Sequence, residues 1–481
     1  MAQYAPRRFL RGKTINPGGN LTMKLRRTFA ATLAVTATIA TAGITSASAA
    51  STINGGGSSF ISNMMETCGS RYNADPAFNG SSDVISYSST GSGTGKTNFA
   101  AGTYKFGGSE SAYTSGAPAN FVYVPLIAGP IGIAYRLDGV TPAGSSVSLS
   151  SDTVAKIFAG TITMWNDPAI VAENTLNKIA AIKKTSKNGA VATAAKVGNK
   201  VNLKLVTNAA GLKKFKGKKV TITRTTLAKK VTDVLSAPLA GTLSKSVNYS
   251  KDARYDFKIG TTSLGSVTVD DTIIVPATLT LPATPIRVAY RSGTSGTTNM
   301  FTNYLNKTVP SIWSKPANDA FTTAFPTAIP TNGTFQAASG NDGVTNLVKT
   351  TNGAITYAEL SFIKERESAG VLAANIKNNG GRFVAPSTTG AAVFYAEAVV
   401  EADGLVTPDY SVASLDAYPI NAIAYGLASK TASAENSAVK NYFSYFLNVC
   451  APQNAASKYY AALSGSILTK AVAQVAKISA G

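Results

Sequence analysis

Three times along this chain a short apolar stretch runs into glycines and small hydroxyl residues, then into a segment with helical patterning. The first is Gly55-Gly56-Gly57-Ser58-Ser59-Phe60, ahead of a predicted helix over residues 61–72. The second is Tyr87-Ser88-Ser89-Thr90-Gly91-Ser92-Gly93-Thr94-Gly95, between the strand Val84-Ile85-Ser86 and another helix. In the third, the strand Pro285-Ile286-Arg287-Val288-Ala289-Tyr290 leads into Arg291-Ser292-Gly293-Thr294-Ser295-Gly296-Thr297-Thr298 and a helix-like run to Leu305. In such a turn the glycines let the backbone come close to a bound group. The free N–H groups of the first helical turn point at that group, and the helix dipole favours negative charge there. Arg291 adds a planar fork of donors suited to a tetrahedral oxyanion. One glycine–serine turn before a helix is commonplace. Three of them with an arginine point to an α/β chain whose loops cradle an anion.

The remaining pattern agrees. Short apolar strands, Phe121-Val122-Tyr123-Val124-Pro125-Leu126 and Ile131-Gly132-Ile133-Ala134-Tyr135, alternate with helical segments such as residues 151–159. That alternation predicts mostly parallel sheets covered by helices. A length of 481 residues accommodates two or three domains. Histidine is absent, which removes His-based triads, His metal sites and imidazole acid–base chemistry. No carboxylate cluster has metal-ligand spacing, so neither a metal nor a cofactor is expected. Thr90-Gly91-Ser92-Gly93-Thr94-Gly95-Lys96-Thr97 nearly fits a nucleotide P-loop, but its first position is threonine rather than glycine.

Charge is unevenly spread. Of 45 Lys and Arg and 24 Asp and Glu, residues 176–282 hold nineteen basic and five acidic, a net of +14. Beyond residue 49 the rest of the chain balances. Within 176–282, Lys200-Val201-Asn202-Leu203-Lys204-Leu205-Val206 and Lys219-Val220-Thr221-Ile222-Thr223 alternate with period two, as do parts of 254–259 and 266–275. A small antiparallel β domain, a sandwich, is predicted there. Its Lys213-Lys214-Phe215-Lys216-Gly217-Lys218-Lys219 run reads as a solvated loop, or as a face for anionic wall polymers or phospholipid surfaces. Nucleic acid is not an expected partner, because no aromatic stacking pattern accompanies the lysines.

Met23-Lys24-Leu25-Arg26-Arg27, an apolar stretch over 29–43 and Ala47-Ser48-Ala49 read as an export signal within residues 1–49, with a mature start near Ala50. Met23 is a candidate true start; the alternative is a long basic leader. No cysteine near the cleavage site signals a lipid anchor, so a periplasmic or surface location is expected. Cys68 and Cys450 are the only cysteines, which in an exported chain suggests a disulfide, with two buried free thiols as the alternative.

Taken with Phe106-Gly107-Gly108-Ser109-Glu110, Ile157-Phe158-Ala159-Gly160-Thr161-Ile162, Trp165-Asn166-Asp167-Pro168 and Gly340-Asn341-Asp342-Gly343-Val344, the three loops resemble, in order and approximate spacing, the phosphate-binding proteins of bacterial phosphate ABC importers. The resemblance covers nearly all of 50–175 and 283–481. It implies a two-lobed periplasmic-binding-protein fold of type II, with the all-β domain inserted in the second lobe. The first lobe would comprise 50–125 and 385–481, and the second 126–175 and 283–384 around the insert at 176–282. The return of the C-terminal segment to the first lobe would make a Cys68–Cys450 bridge feasible. The implied function is non-enzymatic capture of inorganic phosphate for the membrane permease of the importer. The implied contacts are Ser59, the Phe60 N–H, Ser92 and Glu110 from one lobe, and Arg291, Ser295, Gly296 and Thr297 from the other. Ser58 and Thr298 would assist. Trp165 and Trp313 read as core, Asn166-Asp167-Pro168 as a helix cap, and Asn341-Asp342-Gly343 as a turn and helix start.

Two positions depart from the family pattern. Glu110 stands where relatives usually have aspartate, the acceptor for the proton that phosphate carries and sulfate lacks. Gly293 stands where an acidic partner of the arginine is common. Both bear on selectivity. The alternatives are a receptor for another tetrahedral oxyanion, a surface adhesion or scavenging protein using the basic insert, and, least favoured, an exported phosphatase or esterase on this scaffold.

Overall fold

The computed structural model describes residues 51–80, 83–175, 182–197, 200–226, 231–250, 253–269, 278–396, 398–479 and 481. The export signal, the Met23 start, and the parts of the insert at 176–181 and 270–275 lie outside the described residues.

One strand, Phe121–Tyr135, organises the fold. All but the first of its 15 residues are buried, as its nearly unbroken apolar sequence requires. Residues 121–130 pair antiparallel with Asn421–Ser429. Residues 131–135 pair antiparallel with Ala354–Glu359. Beyond Asn421–Ser429 come Phe106–Ser109, Thr52–Gly57 and Val84–Ser89. On the other side lie Arg287–Arg291 and then Phe335–Ala338, parallel to their neighbours. Each flank carries its own helices, Ser62–Ala74 and Ser92–Ala100 on the first, Gly296–Thr308 and Gly340–Thr350 on the second. Two lobes therefore share one strand, in the type II arrangement.

The sheet is less parallel than predicted, since both central strands are antiparallel to their neighbours. Gly129-Pro130 reads as a break between two short strands, yet the strand continues through it. Partner exchange takes place there: Pro130 faces Asn421, and the Ile131 N–H donates to the Ile420 carbonyl at 2.8 Å. A proline at the changeover leaves few ladder bonds unmade.

Within the insert, two four-stranded antiparallel sheets face each other. One runs in the order Val231–Pro238, Lys219–Thr225, Ala253–Ile259, Thr262–Val269; the other Thr242–Asn248, Lys200–Thr207, Ala190–Val197, Ile182–Lys187. The period-two alternation drives Val201, Leu203, Leu205, Val220, Ile222, Tyr255 and Phe257 into a core separate from that of the lobes. The Leu279 N–H donates to the Asn174 carbonyl at 2.8 Å, so the chain leaves and rejoins the lobe at adjacent points. One helix, Ala209–Phe215, interrupts the β pattern, capped by the Asn208 side chain on the Gly211 N–H. Its last turn and the turn after it form the lysine run. Phe215 is buried, with the Lys214 and Lys218 ammonium groups 5.2 and 5.8 Å from its ring centre.

Cys68, on Ser62–Ala74, is bonded to Cys450, which follows the helix Ala434–Tyr445; both are fully buried. A link closing so long a loop restricts the unfolded chain. Replacing both cysteines by serine is expected to lower the unfolding free energy by roughly 2–4 kcal/mol in urea titration; an unchanged midpoint would contradict a structural role.

Candidate anion-binding site

The first and second glycine loops lie side by side because their strands pair in parallel from Thr52/Val84 to Gly57/Ser89. Close packing enforces the glycines: a Cβ on Gly57 would sit 2.2 Å from the Gly108 carbonyl oxygen. The helices beginning at Ser92 and Gly296 then present their N-termini from opposite lobes. They meet directly, the Gly93 N–H donating to the Thr294 carbonyl at 3.2 Å.

Glu110 lies at this junction, 1% exposed. It accepts from Ser58 Oγ on Oε1 and from Ser92 Oγ on Oε2, the latter at 3.1 Å. Burial pushes its carboxyl up to about 7, against the opposing pull of the Ser58 and Ser92 hydroxyls and the Arg291 charge. Gly296 packs on the same carboxyl, where a Cβ would lie 2.6 Å from Oε2. The first turn of the second-lobe helix thus abuts a first-lobe carboxyl.

Arg291 ends its strand 5% exposed, with Nε and Nη1 buried and without a protein partner. Burial lowers the pKa of the guanidinium, with Tyr357 and Glu110 opposing the shift. Thr297 Oγ1 is likewise buried and unpartnered. Ser295 caps the helix through its hydroxyl on the Thr298 N–H at 3.3 Å. Buried donors of this kind are rare, because each costs about 1–3 kcal/mol unless something accepts from it. Here they are aligned with a helix N-terminus and a guanidinium.

Other residues of the motifs are engaged with protein. Ser59 Oγ accepts from Asn341 Nδ2 at 3.0 Å, which leaves its own proton to donate. The Phe60 N–H is taken by Ser58 Oγ at 3.0 Å. Thr298 Oγ1 pairs with Tyr357 Oη at 2.7 Å. Trp165 and Trp313 are fully buried, and Asp167 caps Pro168–Glu173 through the Ala169 N–H. Asn341 does more than begin a helix: its side chain also accepts from the Glu359 N–H at 3.2 Å.

Sequence reasoning missed Tyr357, the Lys96–Asp319 ion pair and Glu359. Glu359 is fully buried, accepts from Ser361 and from Tyr460 Oη at 3.0 Å, and is pushed by burial up to about 8. Only its apolar setting, Ala354-Ile355-Thr356-Tyr357-Ala358, signals a buried acid.

Two carboxyls raised above their unfolded values mean that the folded chain binds more protons than the unfolded one between about pH 4.5 and 8. Their stabilising contribution is complete at the acid end and disappears as pH rises through the folded values. Unfolding free energy is expected to fall by a few kcal/mol over that window, and Glu359→Gln to flatten the decline. Urea titrations at pH 5 and pH 8.5 give the comparison; a slope untouched by Glu359→Gln would contradict it.

A profile described as a PBP superfamily domain matches residues 42–268 and 190–449. Phosphate-binding protein PstS 2 of Mycobacterium tuberculosis is 26% identical over 291 residues, covering 58% of this chain and 47% of that protein. Phosphate-binding protein PstS of Haemophilus influenzae is 32% identical over 117 residues, covering 24% of this chain and 32% of its own. The chain spans about half the length of the Mycobacterium relatives it matches. A solved structure of a high affinity periplasmic phosphate-binding protein, bound with phosphate, shares the fold at a TM-score of 0.52 and 18% identity, over 88% of this chain and 93% of its own. With the profile covering most of its length, this chain belongs to the PBP superfamily.

Proposed function

We propose that this chain is an exported receptor that captures inorganic phosphate between its lobes and delivers it, unchanged, to the membrane permease of an ABC importer. The buried, unpartnered Arg291 Nε and Nη1 and Thr297 Oγ1 beside Glu110 carry this reading. They call for a small, multiply accepting anion. Arg291, Thr297 and the N–H groups of Gly296 and Thr297 would hold it from the second lobe, and from the first Ser59 and, once its proton turns from Glu110 to the anion, Ser92. Names of relatives from two genera point to the same ligand.

Glu110 gives the preference for phosphate. Ionised, it accepts the proton that phosphate carries; against sulfate, two acceptors would face each other. A mispaired buried group of this kind can discriminate by about 10⁴-fold. Because burial raises the carboxyl to about 7, the rejection should weaken in acid, where protonated Glu110 can donate to sulfate. Calorimetric titration of ligand-stripped protein is expected to give phosphate binding and no sulfate heat at pH 8, with sulfate binding appearing by pH 5.5. Glu110→Gln should weaken phosphate binding at pH 8 by about 10- to 100-fold and admit sulfate at both pH values. Binding of neither anion by the unaltered protein would end the receptor reading, and unchanged selectivity in Glu110→Gln would remove Glu110 as the proton reader.

A second partner is supported by the insert. Residues 174–232 contain no aspartate or glutamate. Lys213, Lys214, Lys216, Lys218 and Lys219 are all exposed around the buried Phe215, and Lys258 is exposed on the adjacent strand opposite Thr221. We assign this face to an anionic wall polymer. The one aromatic ring of the run is buried rather than offered to a bilayer, which argues against membrane insertion. The protein is expected to cosediment with poly(glycerol phosphate)-coated beads at low salt. Replacing the five lysines of the run by glutamine should abolish this and leave phosphate affinity unchanged. Cosedimentation that survives the replacements, or none at low salt, would refute the assignment.

A further inference from the structure

Beside the anion site the two lobes are joined by a charge pair that touches none of the proposed ligand donors. Lys96, in the first-lobe helix Ser92–Ala100, places Nζ 2.8 Å from Asp319 Oδ2. Asp319 lies in the second lobe, before the short helix Phe321–Ala324. Their side chains are 10% and 15% exposed. All three ammonium protons are used, on Asp319, on Ser111 Oγ at 3.0 Å and on the Ala112 carbonyl at 2.9 Å. Asp319 is equally committed. Oδ2 also accepts from Ser111 Oγ at 3.0 Å, and Oδ1 accepts from Asn299 Nδ2 at 2.9 Å. Its backbone carbonyl accepts from the Ser295 N–H at 2.9 Å, so the residue is fixed to the cap of the anion-binding helix.

We propose that Lys96 and Asp319 form a latch that holds the lobes shut over the bound anion and sets how long it stays. The idea rests on the phosphate-receptor reading for its biological meaning, though not for its test. When the lobes part, the pair must separate and both charges regain water. With the lobes together, each desolvated charge depends on the other, and removal of one strands its partner. Asp319 is therefore a positioning residue.

The sign of one substitution separates this role from simple electrostatics. Asp319 is a negative charge near an anion site, and its field reaches Glu110. If it acted only through that field, Asp319→Asn would strengthen phosphate binding. As half of a latch, its loss must weaken binding, on the order of 100-fold, through faster release and with phosphate-over-sulfate selectivity unchanged. Removing both charges, Lys96→Met with Asp319→Asn, should restore much of the affinity, because no charge is then left stranded.

Lobe separation is read from spin labels on Ala101→Cys and Thr331→Cys, exposed positions on opposite lobes. Cys68 and Cys450 are bonded to each other and leave these thiols free to label. Without added anion, the Asp319→Asn background should show a longer distance distribution than the unaltered background. Inorganic phosphate should shorten it at higher concentration than in the unaltered protein, and stopped-flow release should be faster. Unchanged distances, or phosphate affinity equal to or tighter than that of the unaltered protein, would overturn the latch. Failure of phosphate to bind the unaltered protein would instead overturn the receptor reading, while the ligand-free distances still decide the latch. Thermal unfolding of Asp319→Asn, expected within a few degrees of the unaltered protein, checks that the fold is retained.

Discussion

A guanidinium taken out of water with two of its nitrogens unmatched is the constraint around which this molecule is arranged. Arg291 is 5% exposed, and burial opposes its charge. Leaving such a group unpaired costs several kcal/mol, so the site is built to be completed. Nearby features supply the same polarity: the start of the Gly296–Thr308 helix, Thr297 Oγ1, and the Ser59 hydroxyl. Each is a donor, Ser59 on the first lobe and the others on the second. In the receptor proposed above, anion binding would favour closure, because both lobes supply donors.

The strand Phe121–Tyr135 makes that meeting reproducible. Shared between the two pairing neighbourhoods, it joins the lobes directly and changes partner at Pro130, which has no N–H to give to the ladder. Around the changeover, Gly129 lies within 3.3 Å of the Phe60 and Tyr460 rings for any added Cβ. Tyr460 Oη bonds both the Phe60 carbonyl and Glu359. The crossing point is thus tied to the first anion loop on one side and to the buried acid of the second lobe on the other.

The glycine loops with Arg291 at the third of them, and the alternating insert, were legible because they depend on local rules, whereas Ser92, Glu110 and Thr297 were singled out only by the resemblance to a family. A helix start needs small polar residues, a β-face needs period two, and a close backbone approach needs glycine. What escaped depends on contacts between residues far apart in sequence. Lys96 reads as part of an imperfect P-loop, and nothing near it names Asp319, 223 residues away. Asn341 reads as a helix start, yet its side chain spans from Ser59 to Glu359. The helix 209–215 was hidden because its lysines suggest a loop, while Phe215, the residue that anchors it, is single. Gly129-Pro130 misled in the opposite direction, since a break in local propensity there marks an exchange of partners and not an end of the strand.

Glu110 and Gly293 together describe how negative charge is distributed around the site. A glutamate reaches one methylene further than an aspartate, and the space it enters is bounded by Gly296, where any Cβ would fall 2.6 Å from Oε2. The extra length is therefore tolerated because position 296 carries no side chain. The carboxyl is held by Ser58 and Ser92 on its own lobe rather than pressed against Arg291. At Gly293 a side chain would meet nothing within 4 Å, so an acid there would be sterically free, and its absence leaves Arg291 without a carboxylate partner of its own. The other acid whose charge acts on Glu110 is Asp319, which is paired with Lys96. In the proposed receptor the guanidinium would meet an incoming anion with Nε and Nη1 free of any protein partner. Discrimination would then rest on the single proton between that anion and Glu110.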